Sequence, residues 1–342
     1  MILVTGGTGY IGSHTVVELQ TEGYDVIIVD NFSNSEPEVA GRIAKITGIN
    51  PIVEPFDLCD GQKVDNLFKK YKNISAVIHF AALKAVGDSV NRPLEYYRNN
   101  LISLMNIIEA MKKYGSKGLV FSSSCTVYGQ PDKLPVTETD PIAPATSPYG
   151  NTKQISEAII RDTIHAWPGS FNAISLRYFN PIGAHTSAFI GELPRGVPEN
   201  LVPYITQTAI GLRKEISVFG NDYNTPDGSC IRDYLHVTDL SKAHVIAVNR
   251  LLGKLNKSPF EVFNLGTGKG VSVLEAIKSF EKVSGKKLNV RITNRRPGDI
   301  EKIWADPSLA NRELGWKTVS TIDDAMLTAW RWEQELEKTR KK

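Results

Sequence analysis

A tyrosine and a lysine lie four residues apart in the stretch SPYGNTK, where Tyr149 directly follows Pro148 and Lys153 comes one helical turn later. Proline suits the first turn of a helix, and residues i and i+4 share one helix face, so the spacing is compatible with an ordinary helix start. It is also the arrangement in which an ammonium favours a phenolate and lowers the tyrosine pKa from its usual value of about 10. In that second interpretation Tyr149 is a general base for an alcohol proton.

Three serines follow a short apolar run in VFSSSCTVYG, at Ser122, Ser123 and Ser124. If the run is a strand of a doubly wound sheet, the serines lie at its carboxyl end, where such sheets bind ligands. Ser124 can then share a hydrogen bond with the same substrate hydroxyl as Tyr149. Together these residues predict a site that removes an alcohol proton while hydride leaves the carbon for NAD.

A glycine-rich turn in ILVTGGTGYIG places Gly6, Gly9 and Gly12 between an apolar run and a helical pattern. Glycines at this spacing permit a tight turn and let backbone N–H groups approach a pyrophosphate at a helix N-terminus. Asp30, which ends the second apolar run, can accept hydrogen bonds from a ribose hydroxyl and would repel a 2′-phosphate. The pattern therefore favours NAD over NADP, although a solvent-facing turn aspartate in VDNFSN is the alternative.

Short apolar runs alternate with amphipathic segments through the first half of the chain. Continuous Val- and Ile-rich runs predict strands buried on both faces, as in a parallel sheet. They cover residues 2–5, 25–29, 51–56, 76–81, 118–123 and 173–178. Between them, the patterns over 10–23 and 99–115 predict helices that end at glycine. The fold class predicted is α/β, with a doubly wound parallel sheet of the Rossmann type.

The pattern changes after about residue 179. Residues 180–200 contain three prolines and three glycines without periodicity, which predicts a long functional loop. Mixed elements follow: helices near 200–212, 238–252 and 272–284, strands at 216–220 and 261–266, a loop at 221–234, and two helices near the C-terminus. We predict an NAD-binding domain over 1–179, to which segments from about 225–265 return, and a smaller mixed α/β substrate-binding domain over 180–342.

Composition excludes several classes of protein. The 342 residues carry a formal net charge of only +3, without the basic stripe and interleaved aromatics of a nucleic-acid-binding protein. No apolar run approaches the length of a membrane span, and the first residues read as a strand rather than a targeting segment. Cys59, Cys125 and Cys230 are far apart, which argues against disulfides and a zinc site. We expect no metal, no nucleic acid and no membrane partner, and a cytoplasmic location.

The motifs taken together resemble those of UDP-galactose 4-epimerases, in the extended short-chain dehydrogenase/reductase group. The resemblance runs from residue 1 to about 320 through GGTGYIGSHTVVEL, VIHFAALKAVGDSV, FSSSCTVYG, SPYGNTK, RYFNPIGAH and SVFGNDYNTPDGSCIRDYLHVTDL. It implies an enzyme of galactose metabolism that interconverts UDP-galactose and UDP-glucose at C4 through a 4-keto sugar. It also implies tightly bound NAD, Tyr149 as the acid/base with Lys153 and Ser124, and a homodimer formed through a helix pair.

The same resemblance implies particular ligand contacts. Those to NAD are Gly6, Gly9, Tyr10, Ile11, Gly12, Asp30, Asn31, Asp57, Leu58, Phe80, Ala81, Lys84, Asn99, Ser122, Tyr149, Lys153 and Tyr178. Those to the UDP-sugar are Ser124, Asn180, Asn200, Leu201, Phe219, Arg232, Arg296 and Asp299. Two residues depart from the family pattern: Ala82 stands where glycine is usual and Cys125 where alanine is usual.

Several alternatives stay open. Arg232 and Arg296 suit phosphate oxygens, but they could equally be surface residues paired with Asp233 and Asp299 respectively. A 4,6-dehydratase needs acids after the strand-end threonine, and Val127 and Tyr128 follow Thr126 instead. Another NAD-dependent NDP-sugar enzyme and a non-catalytic NAD-binding protein are further alternatives. Ile303 leaves undecided whether UDP-GlcNAc and UDP-GalNAc are also substrates.

Overall fold

Strands and helices alternate through the first half of the chain in the computed structural model, which describes residues 1–296 and 299–340. The elements are β1 (Ile2–Thr5), α1 (Tyr10–Thr21), β2 (Val26–Asp30), α2 (Glu38–Thr47), β3 (Ile52–Pro55), α3 (Gly61–Lys70), β4 (Ala76–His79), α4 (Val86–Asn91), α5 (Pro93–Tyr114), β5 (Gly118–Ser122), a 3-10 turn (Cys125–Tyr128), α6 (Pro148–Ala166) and β6 (Asn172–Tyr178).

The second half consists of shorter elements. They are β7 (Asn180–Ile182), α7 (Leu201–Ala209), β8 (Ile216–Phe219), β9 (Ile231–Arg232), β10 (Tyr234–His236), α8 (Val237–Leu252), β11 (Phe260–Leu265), β12 (Val271–Ser272), α9 (Val273–Ser284), β13 (Val290–Thr293), β14 (Lys302–Ile303), α10 (Ser308–Glu313) and α11 (Ile322–Arg340). The predicted 180–200 loop therefore begins with a strand, because β7 pairs in parallel with β10.

One seven-stranded parallel sheet organises the molecule, in the order β11-β6-β5-β4-β1-β2-β3. The reversal of strand order at β1 and β4 makes the sheet doubly wound and places a crevice at their carboxyl ends. The predicted α/β fold class is thus confirmed. The second half adds three small sheets, β10-β7, β12-β9-β14 and β13-β8.

Both faces of the sheet are covered, which explains the unbroken apolar runs. Ile2 and Val4 of β1 pack into the core beneath α1 and α8, whereas Leu3 packs into the core beneath α3, α5 and α6. Each fully buried aliphatic side chain contributes about 1.5–3 kcal/mol. One prediction is wrong here: β3 is not buried on both faces, because it is the edge strand and Ile52 is 41% exposed.

The predicted domain boundary crosses this architecture. β11 pairs with β6 inside the large sheet, and α8 packs against α1. Both α8 and β11 follow residue 225 in the chain. The segment between about 225 and 265 therefore contributes a strand and a helix to the sheet domain. The division at residue 179 stays a prediction.

Candidate active site

The glycine-rich turn between β1 and α1 forms a close backbone cradle. Gly6 has a φ of +68°, and Gly9 donates its N–H to the carbonyl of Gly6 over 3.0 Å. A Cβ on Gly12 would lie 2.2 Å from the Gly6 oxygen, and a Cβ on Gly6 would lie 2.9 Å from the Ala81 nitrogen. Side chains are excluded at these positions, so a ligand can approach the backbone at the start of α1, where anions are favoured.

The first turn of this helix also reaches the second half of the chain. Tyr10 donates its hydroxyl to the Gly183 carbonyl over 2.6 Å, and Ile11 packs against the core on the α1 side of the sheet. The cofactor contacts predicted at Tyr10 and Ile11 therefore lie at the start of α1, next to the loop that follows β7.

Asp30 orders the turn and the loop that follows β2. Its carboxylate accepts hydrogen bonds from the Thr8 N–H at 3.2 Å, the Phe32 N–H at 3.0 Å and the Ser35 hydroxyl at 2.9 Å. Only 9% of Asp30 is exposed. A carboxylate fixed at a strand end beside a glycine cradle suits a ribose with a free 2′-hydroxyl, so the residues fit NAD.

Four more of the predicted NAD contacts, Asn31, Asp57, Leu58 and Asn99, lie beside the carboxyl ends of β2 and β3. Asn31 donates its amide to Asp57 over 3.1 Å, and Asp57 also accepts from the Cys59 N–H over 2.8 Å. Burial acts to raise the pKa of Asp57, but these hydrogen bonds outweigh it and hold that pKa below its usual value. Leu58 is buried, and the Asn99 carbonyl accepts from the Cys59 thiol. One edge of the crevice thus gathers all four predicted contacts.

The proposed catalytic residues come from β5 and α6. Ser124 accepts from the Thr126 N–H and begins the 3-10 turn, while Ser147 caps α6 by accepting from the Gly150 N–H over 3.1 Å. Tyr149 lies in the first turn of α6, next to the Ser124 side chain, which acts to lower the pKa of Tyr149. Because the cap fixes the start of α6, Tyr149 is held against the carboxyl end of β5.

Lys153 is held beside the same strand end. Its ammonium donates to the Ser122 carbonyl over 2.7 Å and lies 5.8 Å from the centre of the Tyr149 ring. Lys153 is only 4% exposed, which is unusual for a lysine. The serine, tyrosine and lysine predicted from their motifs are therefore brought to one place.

The electrostatics correct one prediction. The sequence predicts that Lys153 lowers the pKa of Tyr149, whereas burial raises that pKa well above its usual value and the neighbouring Ser124 side chain acts against burial. Burial also lowers the pKa of Lys153 to about 8. Both shifts have the same cause, because a dry environment disfavours each charged form. At neutral pH Tyr149 is therefore the protonated phenol, whereas Lys153, with a pKa of about 8, is still mostly the ammonium.

Aromatic rings line the crevice next to this pair. The Tyr178 hydroxyl is hydrogen-bonded to the Ser122 side chain, and burial raises the pKa of Tyr178 to about 12. The rings of Phe80 and Tyr178 lie 4.7 and 6.0 Å from that of His244. The predicted contacts Phe80, Ser122 and Tyr178 come from the ends of three different strands, and the fold places them on one wall.

Three of the predicted substrate residues, Phe219, Arg296 and Asp299, lie together. Arg296 pairs with Asp299 at 2.8 Å, and its guanidinium lies 5.4 Å from the Phe219 ring. Asn180 lies in β7, and its N–H donates to the Asp233 carbonyl over 2.9 Å. An arginine, an aromatic ring and a carboxylate side by side offer contacts to a phosphate and a base. Residues 297 and 298 lie outside the described residues.

The two arginines differ in their partners. Arg296 has the Asp299 pairing expected of the surface alternative, but Arg232 does not pair with Asp233. Asp233 is fully buried and accepts instead from Thr267, Gly268 and Ala305. Arg232 donates to the carbonyls of Ile231 and Glu301, and in the described part of the chain it has no carboxylate partner. Its charge remains available for a ligand.

Glu192 was not identified from the sequence, yet it joins two predicted ligand contacts. It accepts from the Asn200 amide over 2.6 Å and lies 3.5 Å from the Lys84 ammonium. Leu201 follows as the first residue of α7. Lys84 precedes Glu192 by 108 residues, so only the fold brings Lys84 to Glu192 and Asn200. A carboxylate in the aperiodic 180–200 segment was the available signal.

Glu157 and Arg177 were also missed. They form an ion pair at 2.6 Å beneath the β5 end, with side chains 1% and 3% exposed. Glu157 follows Lys153 by one helical turn and also accepts from the Ser123 hydroxyl at 2.7 Å. The YxxxK motif continues as YxxxKxxxE, and this spacing was the signal that could have found Glu157.

The end of the 3-10 turn contains no carboxylate. Val127 and Tyr128 are fully buried and pack with Ile303, which is 3% exposed, and with Phe179 and Cys125. Ile303 therefore lies in the apolar layer beneath Cys125. The two residues that follow Thr126, Val127 and Tyr128, cannot themselves supply the acid that a 4,6-dehydratase needs.

Two kinds of site are absent from residues 1–296 and 299–340. These residues contain no cluster of three or more histidine, cysteine or acidic side chains that could hold a metal ion. Their helices include none with the length and hydropathy to cross a bilayer.

Comparison with known proteins gives similarities over nearly the whole chain. A family model described as GDP-mannose 4,6 dehydratase matches residues 3–328. The UDP-glucose 4-epimerase of Bacillus subtilis is 51% identical, over 97% of this chain and 96% of its own. Among solved structures, the UDP-glucose-4-epimerase of Stenotrophomonas maltophila, with bound NAD and formylated UDP-arabinopyranose, has a TM-score of 0.95 at 46% identity and 99% coverage of both chains. The enzyme of Bifidobacterium longum, in complex with NAD+ and UDP, has a TM-score of 0.93 at 48% identity and 98% coverage of both. With relatives this similar over almost its full length, the chain belongs to the GDP-mannose 4,6 dehydratase family and, within it, to the UDP-glucose 4-epimerases.

Proposed function

We propose that the protein interconverts UDP-galactose and UDP-glucose at C4, through a transient 4-keto sugar and with tightly bound NAD, as an enzyme of galactose metabolism. The observation that carries this proposal is the meeting of Ser124, Tyr149 and Lys153 at the carboxyl end of β5. The glycine cradle and Asp30 occupy the same edge of the sheet. The similar enzymes with bound NAD and UDP or a UDP-sugar support the cofactor and the substrate class.

When bound, NAD supplies the hydride acceptor and donor for C4 and a positive charge near the phenol. Tyr149 takes the proton from the sugar 4-hydroxyl and later returns it. Ser124, which lies next to Tyr149, is placed to hold that hydroxyl during the transfer. The Lys153 ammonium, directed by the Ser122 carbonyl, favours the phenolate that burial alone disfavours.

Inversion requires that the keto sugar turn over while the nucleotide stays in place. The charged groups proposed for substrate binding would hold the nucleotide and leave the sugar free to turn. Arg232, Arg296 and Asp299 are suited to the diphosphate and nucleoside, so binding free energy is concentrated away from the sugar. The residues after Thr126 argue against the dehydratase reaction that the family model's description names, since neither Val127 nor Tyr128 has a carboxylate and the Tyr128 hydroxyl is bound to Asn264 and Arg177.

Incubation of purified protein with UDP-galactose, without added reductant, tests this function. We expect UDP-glucose to form while NAD remains bound. Tyr149→Phe should abolish turnover while NAD binding and folding persist. The control Tyr114→Phe, which removes a hydroxyl bound to Asp65 far from the crevice, should keep normal turnover. Protein that contains NAD yet forms no UDP-glucose contradicts the epimerase assignment. Full turnover by Tyr149→Phe removes that residue from its role.

We also propose a homodimer and a cytoplasmic location. Leu94 and Met105 of α5 are 65% and 40% exposed, and apolar side chains on a long helix suit a helix-pair interface. Cys59, Cys125 and Cys230 are free thiols, which suits a reducing compartment. Sedimentation analysis of wild type and of a Leu94→Glu variant tests the dimer, which the variant should weaken.

A further inference from the structure

The segment 190–200 crosses from the second half of the chain to the loop that follows β2. At its tip, the Arg195 guanidinium donates three hydrogen bonds to main-chain carbonyls of that loop. They reach Phe32 at 3.0 Å, Ser33 at 2.8 Å and Ser35 at 2.5 Å. One side chain thus satisfies three acceptors about 160 residues away in the chain.

The loop that Arg195 holds directly follows Asp30, the carboxylate proposed to bind the ribose. Ser35 donates its hydroxyl to Asp30 over 2.9 Å and shares a hydrogen bond of 2.8 Å with the Thr8 hydroxyl in the glycine-rich turn. Phe32 has a φ of +56°, a backbone conformation that costs a residue with a side chain some free energy. External contacts are needed to keep such a loop in one arrangement, and Arg195 provides three.

The other end of the segment is anchored as well. Ile190 is 2% exposed, and the Glu192 carbonyl accepts from the Trp332 indole over 2.8 Å. The Glu192 carboxylate binds Asn200 and Lys84, both proposed ligand contacts. Arg195 therefore connects a fixed part of the molecule to an otherwise irregular loop, which is bound through Ser35 to Asp30.

We propose that Arg195 is a positioning residue that keeps the 32–35 loop closed over the adenosine half of the dinucleotide and so slows its release. The inference rests on the proposed function, in which one cofactor must stay bound between the two half-reactions. Arg195 touches neither the substrate nor the reacting atoms in this role. A planar guanidinium suits it, since its fork reaches several carbonyls at once, whereas a lysine ammonium is a single point charge.

The test is the rate at which the purified holoenzyme exchanges bound NAD for labelled NAD. We expect Arg195→Ala to release NAD at least about tenfold faster, because the loss of 1.4 kcal/mol of closure changes an equilibrium tenfold. Arg195→Lys should release NAD at a rate between those of the wild-type protein and Arg195→Ala. Arg312→Ala is the matched control: it removes another exposed arginine, paired only with its neighbour Glu313 in the described chain, and should exchange NAD at the wild-type rate.

Hydrogen exchange at residues 31–36 supplies a second measurement. With NAD bound, we expect these amides to exchange faster in Arg195→Ala and unchanged in Arg312→Ala. Equal NAD exchange rates in Arg195→Ala and wild type overturn the proposal, and so does a lower melting temperature without faster release. Failure of the wild-type protein to bind NAD is a different result, because it contradicts the proposed function itself.

Discussion

Neutralising Glu157 tests how the buried ion pair supports the catalytic lysine. Glu157 is paired with Arg177 at 2.6 Å and accepts further hydrogen bonds from Ser123 at 2.7 Å and Ser175 at 2.8 Å. In Glu157→Gln the shape is nearly kept and the charge is lost. The Arg177 guanidinium is then buried without a counter-charge.

The expected loss of stability follows from that uncompensated charge. Breaking a buried pair by removing one partner costs about 3–5 kcal/mol. At about 2–4 °C per kcal/mol for a sizeable domain, the melting temperature should fall by roughly 6–20 °C. Differential scanning calorimetry at neutral pH measures this directly.

The same substitution should alter catalysis through Lys153. Burial lowers the pKa of Lys153 to about 8, and the Glu157 carboxylate acts against this effect. Without that charge the pKa of Lys153 falls further, so less ammonium is present at neutral pH to favour the phenolate. We expect the high-pH limb of the kcat profile to move to lower pH by about one unit, the scale of a nearby charge.

Glu261→Gln is the matched control, because it breaks a second shielded pair, Arg250–Glu261 at 2.7 Å, with both side chains 9% exposed. This pair joins α8 to β11 at the opposite end of that strand from the crevice. We expect a lower melting temperature with an unchanged pH profile. If Glu157→Gln lowers the melting temperature but leaves the pH limb in place, Glu157 has only a structural role and the reasoning is refuted.

Two further substitution series follow from the structure. In Gly12→Ala the new Cβ would meet the Gly6 carbonyl at 2.2 Å, so we expect the NAD content after purification to fall below about a tenth of the wild-type value. In the control Gly41→Ala nothing lies within 4 Å of the new Cβ, and the NAD content should be unchanged. A normal NAD content in Gly12→Ala would contradict the role given to the glycine-rich turn. Burial lowers the pKa of His79 and His14 to about 3 and that of His244 to about 4. Between pH 6.5 and these values the unfolded chain binds protons that the native protein does not, so stability is complete above pH 6.5 and is lost as the pH falls. Urea unfolding at pH 7.5 and 5 should show a smaller free energy of unfolding at pH 5, with a smaller difference in His79→Gln; equal losses in both proteins would exclude His79 as a contributor.

Much of the fold could be predicted from local patterns. The unbroken runs at 2–5, 76–81 and 118–123 became buried parallel strands because each is flanked by helices on both faces. The run at 51–56 also became a strand, but its exposure depended on its place at the sheet edge. Hydrophobic periodicity reports which residues can be buried, whereas strand order decides which ones are.

The proposed site shows the same division. Local sequence is enough to show that Tyr149 and Lys153 share a helix face, that the three glycines precede a helix, and that Asp30 ends a strand. Each of these relations involves only a few neighbouring residues of regular backbone. Only the tertiary structure decided that Arg232 is not paired with Asp233, that Glu192 joins Lys84 to Asn200, and that Arg195 holds the 32–35 loop. It also decided that burial raises the pKa of Tyr149, since the free energy of a charge depends on everything packed around it and not on the neighbours in the chain.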